Sequence, residues 1–299
     1  MRTLVADPPA AADTISSIAT VEAPSGKGRG DENFPVGSWL IRRDLRAHVH
    51  AFYRFARNAD DIADSPAFSA DEKLRRLDRM AAILDGVPGD DSAGDDSPAA
   101  TAMRLSLATT GTTAQHCHDV LRAFRLDTTK LRYRDWAELM EYCRYSAAPV
   151  GRQLLDLHGE SRDTWPASDA LCAALQVLNH LQDCAEDFRN LDRVYLPLDD
   201  LAAAGTGVEA LTAPRTQPGL RRVLDGLLDR TENLVATARD LPPRVAARGL
   251  RLESAVIVAL AARLAHRLRR GDPLATRVKL SKTDVAAAFC NGLFARHRR

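Results

Sequence analysis

Two stretches of this chain put carboxylates one helical turn apart, and a fold that accepts both has to bring a cation to them. The first is Tyr53-Arg54-Phe55-Ala56-Arg57-Asn58-Ala59-Asp60-Asp61-Ile62-Ala63-Asp64. At about 3.6 residues per turn, Tyr53, Arg57, Asp60 or Asp61, and Asp64 share one helical face. In the second stretch Gln176, Asn179, Asp183 and Asp187 do the same. Acids near a helix C-terminus oppose the macrodipole, so the first run is locally unfavourable without a positive partner. Two such faces repel across an empty space and are drawn together across one that holds a cation. The pair predicts two helices opposed over a cavity.

Mg²⁺ suits such a set, because it takes oxygen ligands and commonly binds through one or two carboxylates plus the phosphate oxygens of a substrate. Arg57, one turn before the acids, makes a diphosphate carried on magnesium a better fit than a bare metal, since a guanidinium takes a phosphate oxygen directly. A site of this kind promotes departure of the diphosphate by stabilising its developing charge. The carbocation left behind needs an apolar, water-excluding cavity with a few aromatic faces. Phe34, Phe52, Tyr53, Phe55, Tyr142 and Tyr145 are the candidates for that lining. A lone acid-x-x-x-acid pattern is ordinarily a solvated face. Here there are two, each flanked by Tyr and Arg or by Gln and Asn, in apolar surroundings.

The rest of the chain reads as helix. Hydrophobic residues make up 45% of the 299, ample for a core, and aromatics only 5%. Helical periodicity is expected over about 42–64, 70–84, 99–109, 113–127, 136–157, 169–190, 219–239, 243–269 and 280–294. Ser69 and Ser168 are expected N-caps, Ser69 with Glu72 as capping-box partner. Pro149 predicts a kink near 145–148. Residues 1–30 carry Pro8-Pro9 and Gly26-Lys27-Gly28-Arg29-Gly30 without a sustained period and read as a disordered leader, leaving 31–299 as one all-α domain. A net charge of +1 gives no signal for nucleic acid. The five cysteines have no zinc spacing and read as reduced thiols of a cytoplasmic protein. No apolar run approaches roughly 18 residues.

These motifs resemble those of the squalene and phytoene synthase family, the head-to-head trans-isoprenyl diphosphate synthases, over about Asn33 to Phe289. Tyr53-x-x-x-Arg57-x-x-Asp60-Asp61-x-x-Asp64 matches its first aspartate-rich motif and Gln176-x-x-Asn179-x-x-x-Asp183-x-x-x-Asp187 its second. Tyr142-Cys143 with Ala147-Ala148-Pro149-Val150-Gly151 resembles its kinked central helix, and Arg193-Val194-Tyr195-Leu196-Pro197 its loop after the second motif. The resemblance implies the all-α isoprenoid (terpenoid) synthase fold around a central cavity. It implies Mg²⁺, with Mn²⁺ the alternative ion, on Asp60, Asp64, Asn179, Asp183 and Asp187. It also implies substrate contacts from Asn33, Phe34, Tyr53, Arg57, Tyr142, Gln176, Arg193 and Tyr195.

Within the family, Glu32 to Ser38 and Asn179-His180-Leu181-Gln182-Asp183-Cys184 resemble the hydroxysqualene-forming branch of hopanoid pathways. That implies presqualene diphosphate as substrate, ionised, opened at its cyclopropane and trapped by water, with no NADPH. It also implies a lipid product, peripheral contact with the inner membrane face, and other squalene-pathway enzymes as partners. Gln182 and Ala265 stand where condensing relatives tend to carry Arg and Tyr, and they are expected to leave polar room for the trapping water. The rival readings are a condensing enzyme making presqualene diphosphate or phytoene, a terpene cyclase, and a non-catalytic metal-binding helical module.

The remaining polar residues carry plainer expectations. His180 reads as a packing residue rather than a proton acceptor for water. His48, His50, His116 and His118 read as surface or structural, since i,i+2 spacing splits each pair over two faces. Asp127, Lys130 and Arg132 read as a solvated charge run, and Lys279 and Lys282 as cations either near the metal site or simply exposed.

Overall fold

The computed structural model describes residues 20–23, 40–88 and 96–294. Among them the helices are α1 (Arg46–Asp64), α2 (Ala70–Leu84), α3 (Pro98–Thr110), α4 (Gln115–Asp127), α5 (Trp136–Ser146), α6 (Ala148–Leu157), α7 (Trp165–Leu191), α8 (Leu198–Ala203), α9 (Pro218–Ala238), α10 (Leu241–Arg244), α11 (Arg248–Arg270) and α12 (Lys282–Phe294). No strand occurs among the described residues, only isolated bridges joining Thr20 to Asp96 and Arg132 to Val194. No helix described is long and apolar enough to cross a membrane. The all-α expectation holds.

α7 is the axis of the molecule. Its 27 residues span about 40 Å. It packs against α5, α6, α9 and α11, which is why its apolar positions, among them Leu171, Val177, Leu178 and Leu181, are buried on more than one side. Each fully buried leucine contributes about 1.5–3 kcal/mol. A second apolar core joins α1 to α4 through Phe55, Ile62, Leu77, Met80 and Leu121.

Pro149 acts as expected. The α5–α6 run breaks at Ala147 (φ −116°, ψ −47°), and Pro149 falls in the first turn of α6, where its missing N–H matters least. Just past the break, α6 closes on α7 at Gly151. A Cβ there would lie 2.7 Å from Cys172 Sγ and closer still to Ser168 Oγ. Gly151→Ala is therefore expected to destabilise the fold by about 1–3 kcal/mol, read as a lower urea midpoint at unchanged slope.

Several expectations need correction. Ser168 is buried inside α7, which begins at Trp165 with Pro166 in its first turn, so Ser168 caps nothing. The expected 243–269 helix is two, α10 and α11, divided around Val245–Ala247. Ser69 does cap α2, accepting from the Glu72 amide at 3.3 Å, but the Glu72 carboxylate turns to Arg75 and Arg76 instead of closing the box. Of the expected disordered leader, residues 20–23 are packed. Val21 is fully buried, Glu22 accepts from the Ser97 hydroxyl and the Ala99 amide, and Arg76 donates to the Val21 carbonyl. A short extended segment has no period, so periodicity could not find it. The rest of 1–30 lies outside the described residues. Cys117, Cys143, Cys172 and Cys184 are free thiols.

Candidate active site

A cavity of about 500 Å³ is lined from both acidic stretches, by Tyr53, Arg57, Asp60 and Asp64 of α1 and by Gln176, Asn179, Asp183 and Asp187 of α7. The expected opposition of the two faces across one space is present. Tyr142, Arg193 and Tyr195 line the same cavity. Asn33 and Phe34 lie outside the described residues. Of the aromatic candidates, Phe52, Tyr53 and Tyr142 line the cavity. Phe55 is instead buried in the α1–α4 core, and Tyr145 is covered by the Arg122 guanidinium 3.9 Å from its ring centre.

Each acidic face carries arginine. Arg57 reaches Asp60 at 3.3 Å and Asp61 at 3.1 Å. Arg193 donates to Asp64 at 2.9 Å. Arg277 pairs with Asp183 at 2.8 Å. The like-charge repulsion inferred from the sequence is thus met by guanidinium groups at three points. Among the described residues no three His, Cys, Asp or Glu side chains converge as a ready ion cage.

Arg193 is aimed by the end of α7. Asp192 takes the left-handed conformation (φ 49°), rare outside glycine but tolerated by Asp, and turns the chain back. Arg132 holds that turn by donating to the Asp192 carbonyl and carboxylate. The returning strand-like segment then runs beside 131–134, with Val194 N–H on the Leu131 carbonyl and Leu198 N–H on the Tyr133 carbonyl, both at 2.9 Å. This pairing sets Arg193 and Tyr195 against Asp127 at the end of α4.

Asp127 is the main correction to the sequence reading. It is 4% exposed, not solvated. Tyr142 donates to one carboxylate oxygen at 2.7 Å, Tyr195 reaches the other at 3.4 Å, and Arg193 donates to its carbonyl at 3.0 Å. Tyr133 stacks on Tyr195 with ring centres 5.5 Å apart. Burial raises the Asp127 carboxyl from its ordinary 3.8 to about 7, against the pull of Arg193 and the Tyr142 hydroxyl. Burial works against the Arg193 charge too, but Tyr195, Asp127 and Asp64 around it keep it protonated. Lys130 and Arg132, the other members of the supposed run, are committed to Glu138 and Asp192.

The raised Asp127 value has a consequence for stability. Between pH 4 and 7 the folded chain keeps a proton that the unfolded chain has released, so this group's contribution falls as pH rises. The stability difference between Asp127→Asn and wild type should move in favour of the variant by a few kcal/mol over that window and level off above it. Urea unfolding at one-unit pH steps measures this; a flat difference would refute the assignment.

His180 stacks on Tyr195 with ring centres 3.4 Å apart, and burial lowers its imidazole to about 3, so it stays neutral and serves packing. His116 is likewise structural, buried and paired with Asp156 at 2.9 Å. Gln182 does not open room for water. It is 2% exposed and donates to the Val278 carbonyl, fastening the segment before α12. Ala265 is fully buried, and neither residue lines the cavity. Lys279 and Lys282 are exposed. The cation over the second acidic face is Arg277, two residues short of Lys279.

The squalene/phytoene synthase family profile matches residues 27–284. The chain is 49% identical over 269 residues to the hydroxysqualene synthase of Rhodopseudomonas palustris, covering 90% of each chain. It is 46% identical over 255 residues to the hydroxysqualene synthase of Sinorhizobium fredii, covering 85% of each. Its fold superposes on the crystal structure of a squalene synthase from Alicyclobacillus acidocaldarius with a TM-score of 0.69 at 31% identity, over 81% of this chain and 90% of that one. With two opposed acidic faces on one cavity and a family profile spanning most of its length, the chain belongs to the squalene/phytoene synthase family.

Proposed function

We propose that this protein converts presqualene diphosphate and water into hydroxysqualene and diphosphate. The observation that carries the reading is the division of its cavity. Carboxylates gather on the α1 and α7 motif faces together with Arg57 of α1 and Arg193 just past α7, and residues such as Val49, Phe52, Val120, Leu154, Leu171 and Ile257 supply apolar wall elsewhere. A prenyl diphosphate has the same division, and the high identity to hydroxysqualene synthases selects the branch.

Asp60, Asp64, Asn179, Asp183 and Asp187 offer only oxygen donors, which fits Mg²⁺ or Mn²⁺ held by one or two carboxylates and completed by substrate oxygens, without a protein cage. When bound, the ion supplies charge stabilisation to the departing diphosphate. Arg57, which pairs with Asp60 and Asp61, donates to the same diphosphate, with Tyr53 one turn earlier on the same helix also lining the cavity. Arg193, gripped by Asp64 and Asp127, presents a fixed guanidinium in that part of the cavity wall. The apolar wall excludes bulk water while the cyclopropane opens, so that one water captures the rearranged cation. No reductant enters the balance, and NADPH has no role. Since substrate and product are lipids, a peripheral contact with the cytoplasmic face of the membrane belongs to the same reading.

Purified protein incubated with Mg²⁺, without NADPH, and with either farnesyl or presqualene diphosphate tests this directly. Hydroxysqualene from presqualene diphosphate alone is the expected result. Presqualene diphosphate formed from farnesyl diphosphate would make the chain a condensing enzyme, and no diphosphate release from either would leave a binding module.

A further inference from the structure

The last residue of α5, Ser146, lines the cavity. Its Oγ is shielded from solvent and has no hydrogen-bond partner among the described residues. A hydroxyl brings one donor and two acceptor positions, and burying them unmade forfeits the hydrogen bonds that water would otherwise give. Buried polar atoms that persist unpaired in a native fold call for a ligand or an ordered water.

Its level in the cavity follows from the packing. The Tyr142 ring lies 6.2 Å from the His180 ring, and a Cβ on Gly151 would lie 2.7 Å from Cys172 Sγ. The α5–α6 run is therefore antiparallel to α7, and Ser146, between Tyr142 and Gly151, faces the stretch between Cys172 and His180. The cavity-lining residues of that stretch are Leu175, Gln176 and Asn179. Asn179 is one turn from Asp183, so Ser146 lies roughly 5–11 Å along the helix axis from the acidic residues that would hold the diphosphate. That is where the carbon losing the diphosphate, and the cation formed from it, would sit.

We propose that Ser146 is the positioning residue for the water that captures this cation. This rests on the function proposed above. Ser146 Oγ accepts one hydrogen bond from the water, and the side chain of Gln176, on the facing cavity-lining stretch of α7, supplies a second partner. A lone pair of the water oxygen then points toward the cationic carbon. That pair forms the new C–O bond, and the proton released passes to the departed diphosphate, which leaves as its hydrogen form. Atoms and charge balance with no further reactant. Without the held water, the cation is quenched by losing a proton from an adjacent carbon to the same diphosphate, giving a hydrocarbon in place of the alcohol.

The test reads product partition, which a purely structural role would not move. Wild type, Ser146→Ala, Ser146→Val and Ser146→Thr are incubated with presqualene diphosphate and Mg²⁺ in ¹⁸O-labelled water, and lipids are quantified per diphosphate released. The alcohol fraction should fall about tenfold or more in the Ala and Val variants, replaced by C30 hydrocarbons. In the Thr variant, which keeps the hydroxyl, labelled alcohol should remain the main product. An unchanged alcohol fraction in both Ala and Val, or its equal loss in Thr, overturns the role of Ser146. A wild type that releases no diphosphate or makes no alcohol overturns the functional reading beneath it, a failure recognisable before any variant is compared.

Discussion

Asp183→Asn should lower kcat/KM for presqualene diphosphate by about 10²–10³ while leaving thermal stability nearly unchanged. The two halves of that expectation have different origins. Asp183 belongs to the second acidic face, where its carboxylate would hold the divalent ion that stabilises the negative charge developing as the diphosphate departs. Its ion pair with Arg277 is partly exposed, 23% on the acid and 35% on the guanidinium. Such pairs are worth about 0–1 kcal/mol to the fold. Arg277→Gln breaks the same pair but keeps the acid, and its loss in kcat/KM should be at least tenfold smaller. Steady-state kinetics on both variants separates the roles. Equal losses would mean that the ion pair, not the carboxylate, is what the reaction uses.

Arg193→Met is expected to have the largest effect on the fold, a loss of about 3–5 kcal/mol in chemical unfolding. The Arg193 side chain is 6% exposed and lies between Asp64 and Asp127, and its removal leaves Asp127 buried without a counter-charge. The loss should depend on pH. Below about 7 Asp127 already holds its proton and needs a cation least; above that, wild type ionises it beside Arg193, whereas the variant must keep it neutral or bury a bare charge. The penalty therefore grows as pH rises past 7. Arg193→Lys should recover only part of it, since an ammonium cannot donate to Asp64, Asp127 and Tyr195 from one planar fork. A pH-independent penalty would point to lost packing instead.

Much of this site could be read from the sequence because its parts lie on single helices. The spacing of 53, 57, 60 and 64, and of 176, 179, 183 and 187, is a property of the α-helix and survives any arrangement of the rest. The break before Pro149 is equally local. Asp127, Arg132 and Arg277 were not legible, since each acts through a partner set by tertiary geometry. Asp127 is buried only because the chain turns at Asp192 and pairs back along 131–134. Arg132 matters only because it holds that turn. Residues 20–23 escaped notice for a related reason: their fit depends on Arg76 and Ser97, far along the chain. A small hydroxyl such as that of Ser146 gives no pattern at all. Only the orphaned atom in a cavity wall marks it.

The contact between Arg193 and Asp64 spans 129 residues, and that between Arg193 and Asp127 spans 66. During synthesis at about 5–20 residues per second, the acid of the first motif leaves the ribosome roughly 6–26 s before the arginine that steadies it. The nascent N-terminal helices must persist through that interval with Asp64 and Asp127 still hydrated, and the reaction chamber can close only after the last quarter of the chain, which carries Leu241, Leu250 and Ile257 of its wall, has begun to emerge.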